Sequence, residues 1–378
     1  MEKKRSKKAN SKLKIKKRIK KKYLRKKTIL GKNLFLQQFK KLKDKFVKKS
    51  PPIKVSPKEV KHFGEVVGKM RNEMGKIVIG QHEVINGVIR GLIANGHILV
   101  EGVPGIAKTL IIRTLAKVTG CLNNRIQFTV DLLPTDLTGI TAYDKVKGFY
   151  TIKGPIFSNF IIADEINRSP PKTQSALLEA MQEKQVTISK ETFHMMKPFF
   201  VMATQNPIET AGTYRLPEAQ IDRFLFKVLI TYPNFEQEKQ ILSTNMTLKE
   251  FDNYDIKSVT NSKEIIQMQE IAQKIYLSEE IEKYIVEIVM ATRNPKDYNL
   301  KLGKYILYGS SPRASIGLFI ASKCDALMAG KNYVVPQNVK NVAYDVLRHR
   351  ILLTYEGQAE NIKTEQIIEE ILDKVPMP

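Results

Sequence analysis

The sequence contains few of the residues that support disulfide-rich or metal-binding folds. Only two of its 378 residues are cysteines, Cys121 and Cys324, and they lie too far apart in sequence to predict a pair of metal ligands. The five histidines fall into no metal-ligand spacing. These absences exclude a disulfide framework and predict a reduced, cytoplasmic compartment.

Long apolar runs are also lacking. No run approaches the ~18 apolar residues that a membrane span needs, and the basic N-terminus lacks the ~7–15-residue apolar core of a signal peptide. We therefore expect neither export nor membrane insertion. Apolar residues make up 42% of the chain, which is enough for a packed core, and at ~100–200 residues per domain the length predicts two or three domains.

Acidic residues are scarce at the start of the chain. The first 50 residues contain 23 lysines and arginines but only two acids, a net charge of +21, whereas the remaining 328 residues carry +4. This composition predicts a disordered tail over residues 1–55. Phe35, Phe39, Leu42 and Phe46 follow helical spacing among the lysines and predict a basic amphipathic helix that contacts nucleic acid or an anionic membrane. The alternative is a solvated tail without a specific contact.

A glycine-containing stretch, residues 102–109 (GVPGIAKT), follows the apolar run 98–100 and precedes a helix-like run. Such a strand–turn–helix joint directs backbone N–H groups and the helix dipole towards an anion, which predicts a phosphate-binding loop. Lys108 then supplies charge to the β- and γ-phosphates, and the Thr109 hydroxyl supplies a ligand for Mg²⁺. Ala107 replaces the glycine that usually precedes the lysine, but alanine fits a right-handed turn. A turn that binds nothing is the alternative.

Buried strands are predicted by five short apolar runs: residues 98–100, 125–130, 160–163, 199–203 and 224–230. Helical or loop stretches separate them, which predicts a parallel five-stranded sheet with helices on both faces and a ligand at the carboxyl ends of the strands. After Pro233 the periodicity is helical only, with helices expected at 313–328, 336–354 and 365–374. We therefore predict an α/β nucleotide-binding domain over residues 56–235 and an all-helical domain over residues 236–378.

Two carboxylates, Asp164 and Glu165, follow the third predicted strand. We expect Asp164 to hold Mg²⁺ opposite Thr109 and Glu165 to polarise an attacking water as the general base. An ordinary loop start would also fit an acidic pair at this point. Asn206 ends the next strand, where its amide can orient the water or contact the γ-phosphate.

Two arginines complete the set. Arg223 lies at a helix-to-strand edge from which it can reach the γ-phosphate of a neighbouring subunit, and Arg313 begins a C-terminal helix from which it can reach the same phosphate within its own chain. A planar, bidentate cation suits that charge. Taken singly, an arginine of this kind is more often a partner in a surface ion pair, but two of them within one ordered set of motifs are not independent.

In combination, these motifs resemble those of the MoxR family of AAA+ ATPases, from about Gly80 to the end of the chain. The resemblance rests on the segments 96–109, 125–139, 154–187, 203–209 (ATQNPIE), 215–224 (RLPEAQIDRF), 309–315 (GSSPRAS) and 346–351 (VLRHRI). Val130 stands where the family has proline, a change we interpret as neutral for catalysis. The basic tail is not part of the family pattern.

The resemblance implies a P-loop α/β domain with a helical lid, assembled as a homo-hexameric ring that binds ATP and Mg²⁺ between subunits and hydrolyses the ATP. Mg²⁺ is assigned to Thr109 and Asp164, and catalysis to Glu165, Asn206 (sensor one), Arg223 (arginine finger) and Arg313 (sensor two). The residues expected to contact the nucleotide are Ile79 and Gly80 near adenine, together with Gly102, Val103, Pro104, Gly105, Ile106, Ala107, Lys108, Thr109, Leu110 and Asp164.

The resemblance also implies a chaperone-like remodeller of protein complexes that works with a von Willebrand factor A domain partner. A hairpin over residues 186–196 would face that partner. Two other functions stay open: a motor tethered to nucleic acid or membrane through residues 1–50, and a nucleotide-dependent scaffold that needs no turnover. The presence of Glu165, Asn206 and Arg223 argues against the scaffold, since a pure switch does not require all three.

Overall fold

The computed structural model describes residues 55–102, 105, 108–146, 148–206, 213–244 and 254–378. The predicted tail, except its last residue, lies outside these ranges, as do the loop residues Val103, Pro104, Ile106 and Ala107. The described residues belong to one compact unit. The division of this unit at residue 235 stays a prediction.

The first part of the described chain alternates helices and strands. In order, its elements are α1 (Pro57–Gly75), α2 (His82–Ile93), β1 (Ile98–Glu101), α3 (Lys108–Thr119), β2 (Asn123–Gln127), α4 (Pro134–Thr138), β3 (Gly139–Asp144), β4 (Gly148–Lys153), β5 (Phe160–Asp164), α5 (Pro171–Glu183), β6 (Gln185–Ile188), β7 (Glu191–His194), β8 (Phe200–Gln205), α6 (Glu218–Ile221) and β9 (Phe226–Leu229).

The C-terminal part is mainly helical. Its elements are α7 (Phe235–Thr244), α8 (Ser262–Lys274), α9 (Glu279–Arg293), β10 (Ile306–Tyr308), α10 (Pro312–Met328), α11 (Pro336–Leu347), β11 (Leu352–Leu353), α12 (Tyr355–Ala359) and α13 (Thr364–Lys374). Ser278 and Ser311 cap α9 and α10 through their side chains, so an orphan N–H of each first turn has an acceptor. In the part of the chain that the structure describes, no helix is both long and apolar enough to cross a membrane.

The predicted five-stranded parallel sheet is confirmed. Its strand order is β2-β5-β8-β1-β9, and β1 lies between β8 and β9, with Ile98 opposite Met202 and Phe226. Side chains alternate between two cores: Ile98 and Val100 pack with α1–α3 and the C-terminal helices, whereas Leu99 packs with α5. Both faces of the sheet are therefore covered, which is why the inner strands β5, β8 and β1 are buried over nearly their whole length. The predicted buried strand at 125–130 is wrong in this respect: β2 lies at the edge of the sheet, and Ile126 is its one buried residue.

The predicted hairpin near residues 186–196 is confirmed as the antiparallel pair β6–β7, in which Val186 lies opposite Phe193. A second hairpin, β3–β4, was not expected from the sequence. It begins at Gly139, whose φ of +100° suits glycine and whose Cα lies so close to β4 that an added Cβ would stand 2.1 Å from the Ile152 carbonyl oxygen.

One predicted helix is too long. The expected helix 336–354 ends at Leu347, and Leu352 instead pairs with Tyr308 in the short ladder β10–β11. Between them the chain turns so that Arg348, His349 and Arg350 bond to carbonyl oxygens next to β9 and within it. Those tertiary bonds outweigh the helical periodicity of the apolar residues.

Candidate functional site

A cavity of about 510 Å³ lies at the carboxyl ends of the central strands, beside the first turn of α3. Its volume falls within the ~300–1,000 Å³ typical of small-molecule sites. The cavity brings together seven of the predicted site residues and two arginines that were not predicted: Gly105, Lys108, Thr109, Leu110, Asp164, Glu165 and Asn206, with Arg113 and Arg125. The sheet edge identified from the sequence is thus where these side chains meet.

The first turn of α3 supplies the positive side of the cavity. Lys108 begins the helix, and its Nζ donates to the carbonyl oxygens of Gly102 at 2.6 Å and of Gln205 at 3.4 Å. Gly105 has a left-handed φ of +82°, a conformation that glycine adopts without strain. An ammonium beside the N-terminal N–H groups of a helix is a favourable environment for a phosphate.

Oxygen atoms suited to a hard cation lie opposite that turn. Thr109 Oγ1 is 3.4 Å from Asp164 Oδ2, while Thr204 Oγ1 donates to Asp164 Oδ1 at 2.6 Å. Asp164 is only 9% exposed, so its carboxylate is held rather than solvated. A hydroxyl and a carboxylate next to a phosphate site fit Mg²⁺, which prefers one or two carboxylates plus phosphate oxygens.

Arg125 is a site residue that the sequence reasoning missed. Its Nε and Nη2 donate to Asp164 Oδ2 at 3.1 and 2.7 Å, and its Nη2 also donates to Gln127 Oε1 at 2.9 Å. Arg125 and Gln127 both lie in β2, two positions apart and therefore on one face of the sheet. Gln127 is in register with Asp164 of β5. The sequence feature that could have identified Arg125 is this pair of polar residues at alternate positions of a strand predicted to be buried.

Glu165 is held by its backbone and by its side chain. Its φ of +56° is left-handed, which is uncommon for a residue other than glycine and recurs at functional sites. Its N–H donates to Thr204 Oγ1 at 2.9 Å, and its Oε2 accepts from Gln127 Nε2 at 2.9 Å and from Arg168 Nε at 3.0 Å. The carboxylate is therefore oriented at the rim of the cavity.

The two predicted catalytic arginines lie elsewhere. Arg313 Nη1 is 3.5 Å from Asp222 Oδ2, and Ser311 Oγ donates to the same oxygen at 2.9 Å. Arg223 directly follows Asp222, between α6 and β9. Neither arginine lines the cavity beside α3. The structure thus brings Arg313 to the segment that contains Arg223, rather than to the phosphate site of its own chain.

Ile79 and Gly80 also lie outside the lining of the cavity. They connect α1 to α2, Ile79 is buried, and Gly80 has a φ of +73°. The Gly80 carbonyl oxygen accepts from Gln237 Nε2 at 3.4 Å, and Gln81 Nε2 donates to the Thr231 carbonyl oxygen at 3.0 Å. This connection is therefore tied to the segment that enters α7.

Comparisons with protein families match both parts of the fold. The ATPase family associated with various cellular activities (AAA) matches residues 97–226, and the AAA lid domain matches residues 303–371. The first range runs from β1 to the first residue of β9, and it contains all the residues that line the cavity beside α3. The second contains Arg313 and the segment 348–350.

Individual proteins are similar over most of the chain. Chaperone MoxR1 of Mycobacterium tuberculosis is 44% identical over 81% of this chain and 81% of its own length. The YeaC protein of Bacillus subtilis is 42% identical over 83% of this chain and 95% of its own length. The crystal structure of a proposed ATPase from Cytophaga hutchinsonii superposes with a TM-score of 0.78 at 48% identity, covering 85% of this chain and 97% of that chain.

Proposed function

Because this chain belongs to the MoxR family of AAA+ ATPases, we propose that it binds ATP with Mg²⁺ and hydrolyses the ATP by direct attack of water. The observation that carries this proposal is the convergence of Lys108, Thr109, Asp164, Glu165 and Asn206 on one cavity at the start of α3. An ammonium, a hydroxyl, two carboxylates and an amide at a helix N-terminus form a set that suits phosphoryl transfer.

Each side chain has a distinct task in this mechanism. Lys108 and the amino end of α3 bind the β- and γ-phosphates. Thr109 and Asp164 would hold Mg²⁺, which when bound neutralises charge on the phosphate oxygens. Glu165 orients the attacking water and accepts its proton at the carboxylate, and Asn206 orients the same water from the adjacent strand. No covalent intermediate with the protein is formed.

The hydrogen bonds around the carboxylates support these assignments. Arg125 and Thr204 bond to the two oxygens of Asp164, which keeps one of them turned towards Thr109. Gln127 restrains Glu165 in the same way. Catalysis of this type depends chiefly on positioning and charge stabilisation, so a rigid surrounding shell is what it needs.

We further propose that the active form is a ring, a homo-hexamer, in which Arg223 and Arg313 act on ATP held by the neighbouring subunit. The ion pair between Arg313 and Asp222 favours this arrangement, because it groups both arginines away from the phosphate site of their own chain. Positive charge from a neighbour is worth ~10³–10⁵ in rate in related phosphoryl transfer.

The proposed biological role is that of a cytoplasmic, chaperone-like remodeller of protein complexes. It rests on the similarity to a relative named as a chaperone. A partner with a von Willebrand factor A domain and the β6–β7 hairpin as its contact belong to this proposal. If turnover were unnecessary, as in a scaffold, remodelling would persist in Glu165→Gln.

The test is ATP binding and ATP turnover measured separately on the intact chain and on variants. Glu165→Gln should bind ATP and lose turnover, since the amide accepts no proton, whereas Lys108→Ala should lose binding. Glu179→Gln, at an exposed position of α5, is the matched control and should behave as the parent. Normal turnover in Glu165→Gln would remove Glu165 from the role of general base.

A second function is favoured by the charge of +21 on residues 1–50. We propose that this stretch tethers the ATPase to nucleic acid or to an anionic membrane. Binding to duplex DNA, RNA or anionic vesicles should then fall steeply with salt and disappear when residues 1–55 are removed. Binding that survives the deletion would contradict the tether.

A further inference from the structure

The motif VLRHRI was singled out in the sequence, but the proposed mechanism assigns it no role. Three consecutive side chains of this motif, Arg348, His349 and Arg350, follow the end of α11. Arg348 Nη1 donates to the Lys227 carbonyl oxygen at 3.0 Å, and His349 Nε2 donates to the Phe224 carbonyl oxygen at 3.1 Å. The motif therefore hydrogen-bonds to main-chain carbonyl oxygens of residues 222–227, the segment that contains Arg223.

Arg350 makes the most extensive of these contacts. Its Nε donates to Asp222 Oδ1 at 2.8 Å, and its Nη2 donates to the carbonyl oxygens of Phe224 at 2.7 Å and of Asp222 at 3.3 Å. Its Nη1 donates to the carbonyl oxygens of Leu225 at 3.1 Å and of Val346. Its side chain is 3% exposed. All three guanidinium nitrogens are thus used, and the acceptors lie on both sides of Arg223.

Burying a charged guanidinium is costly in free energy unless its N–H groups are hydrogen-bonded. Burial lowers the pKa of Arg350 to about 10, which still leaves the guanidinium charged at neutral pH, and the Asp222 carboxylate opposes that shift. A lysine at this position would carry the charge but would donate from one point instead of from a planar fork. The site is therefore built for arginine.

Asp222 also connects the segment to the first turn of α10. Its Oδ2 accepts from Ser311 Oγ at 2.9 Å and lies 3.5 Å from Arg313 Nη1, while its Oδ1 accepts from Arg350. The C-terminal helices thus hold the residue before Arg223 from two sides. A displacement of these helices would move the backbone that carries Arg223.

We infer that Arg350 is a positioning residue that fixes the backbone on both sides of Arg223, so that Arg223 reaches the ATP of the neighbouring subunit. The inference rests on the proposed role of Arg223 as a residue that acts across a subunit boundary. Arg350 touches neither ATP nor water in this scheme. Its effect belongs to the subunit that supplies Arg223 and not to the subunit that holds the ATP.

Mixed assemblies test this directional effect. The parent mixture combines full-length Lys108→Ala, which supplies Arg223 but cannot hold ATP, with full-length Arg223→Ala, which has a complete ATP cavity. Turnover should recover where the second chain's cavity faces the first chain's Arg223. Arg350→Lys is then added to one chain or to the other, and recovered turnover is compared with the melting temperature of each chain.

Arg350→Lys in the Lys108→Ala chain should lower the recovered turnover by roughly 10–100-fold, since misplacement by about 1 Å costs a factor of that order. The same substitution in the Arg223→Ala chain should leave it unchanged, because that chain's segment already lacks the arginine. Asp222→Asn, which keeps the shape of the side chain, should show the same asymmetry. Arg90→Lys is the control for loss of stability, because Arg90 is also buried and is paired with Asp325 at 2.8 Å. This substitution should show no asymmetry between the two chains.

Equal losses in both chains would reduce Arg350 to a structural role and overturn the inference, as would no loss in either chain. Failure of the parent mixture to recover turnover would instead refute the proposed action of Arg223 across subunits, and the inference would fall with it. The two failures are therefore distinguishable.

Discussion

His97 is predicted to make the free energy of unfolding depend on pH. It lies immediately before β1 and is buried. Its Nδ1 accepts from the Val201 N–H at 3.0 Å, and its Nε2 donates to the Met181 carbonyl oxygen at 3.1 Å. The neutral ring alone satisfies both bonds, because protonation would remove the acceptor. Burial lowers the pKa of His97 from 6.5 to about 4, and the charge of Lys184 adds to this shift.

The direction of the pH dependence follows from which state, folded or unfolded, binds the proton more tightly. Because the folded-state pKa is the lower one, the unfolded chain binds the proton first as the pH falls below 6.5. The stability that depends on neutral His97 is present above pH 6.5 and is lost progressively down to about pH 4. With 1.36 kcal/mol per pKa unit, lowering the pH from 7.5 to 5.0 should cost about 2 kcal/mol through this residue.

The assay is urea unfolding followed by circular dichroism at pH 7.5 and 5.0. His97→Asn, whose Oδ1 can still accept from Val201, should be less stable than the parent at pH 7.5 but should lose about 2 kcal/mol less on acidification. The comparison is between variants because burial also lowers the pKa of His349. His82→Asn, which removes an exposed histidine, is the control. An identical loss in His97→Asn and in the parent would refute the reasoning.

Two further substitutions test the shell of the site and the unexpected hairpin. Thr204→Val removes the bonds to Asp164 and from the Glu165 N–H without changing volume, so thermal unfolding should show a loss of ~1–3 kcal/mol, together with slower ATP turnover. Unchanged turnover would contradict a positioning role for these bonds. Gly139→Ala should destabilise the chain, because its Cβ would overlap β4 at a left-handed φ. Gly68 lies within α1, and a Cβ added there would meet no other atom, so Gly68→Ala should instead stabilise the chain by ~0.5–1 kcal/mol. Equal effects at the two positions would count against this interpretation.

The centre of the sheet was predictable because its inner strands, β5, β8 and β1, are buried on both faces. Phe160 to Ala163 and their neighbours form short apolar runs that end at polar residues, and the rule that ligands bind at the carboxyl ends of parallel strands then identifies Asp164 and Glu165. The β3–β4 hairpin obeys no such rule. Tyr143 and Phe149 are largely exposed, so no buried face imposes an apolar pattern on it.

The rest of the site depends on tertiary contacts that local patterns do not encode. Arg125 lies in a stretch predicted to be a buried strand, and its contact with Asp164 requires β2 to lie beside β5. The position of Arg313 depends on how the C-terminal helices pack, since nothing near it in sequence specifies Asp222 as its partner. The early end of α11 likewise follows from the bonds of Arg348 and Arg350 to distant carbonyl oxygens.

The most direct test of the account is ATP turnover per subunit as a function of protein concentration. It is measured on the intact chain, on Arg223→Ala, and on Glu165→Gln as the background. The account predicts turnover per subunit that rises with concentration in the intact chain and is abolished in Arg223→Ala, with ATP affinity largely retained. Turnover per subunit that is constant with dilution and unaffected by Arg223→Ala would contradict hydrolysis between subunits.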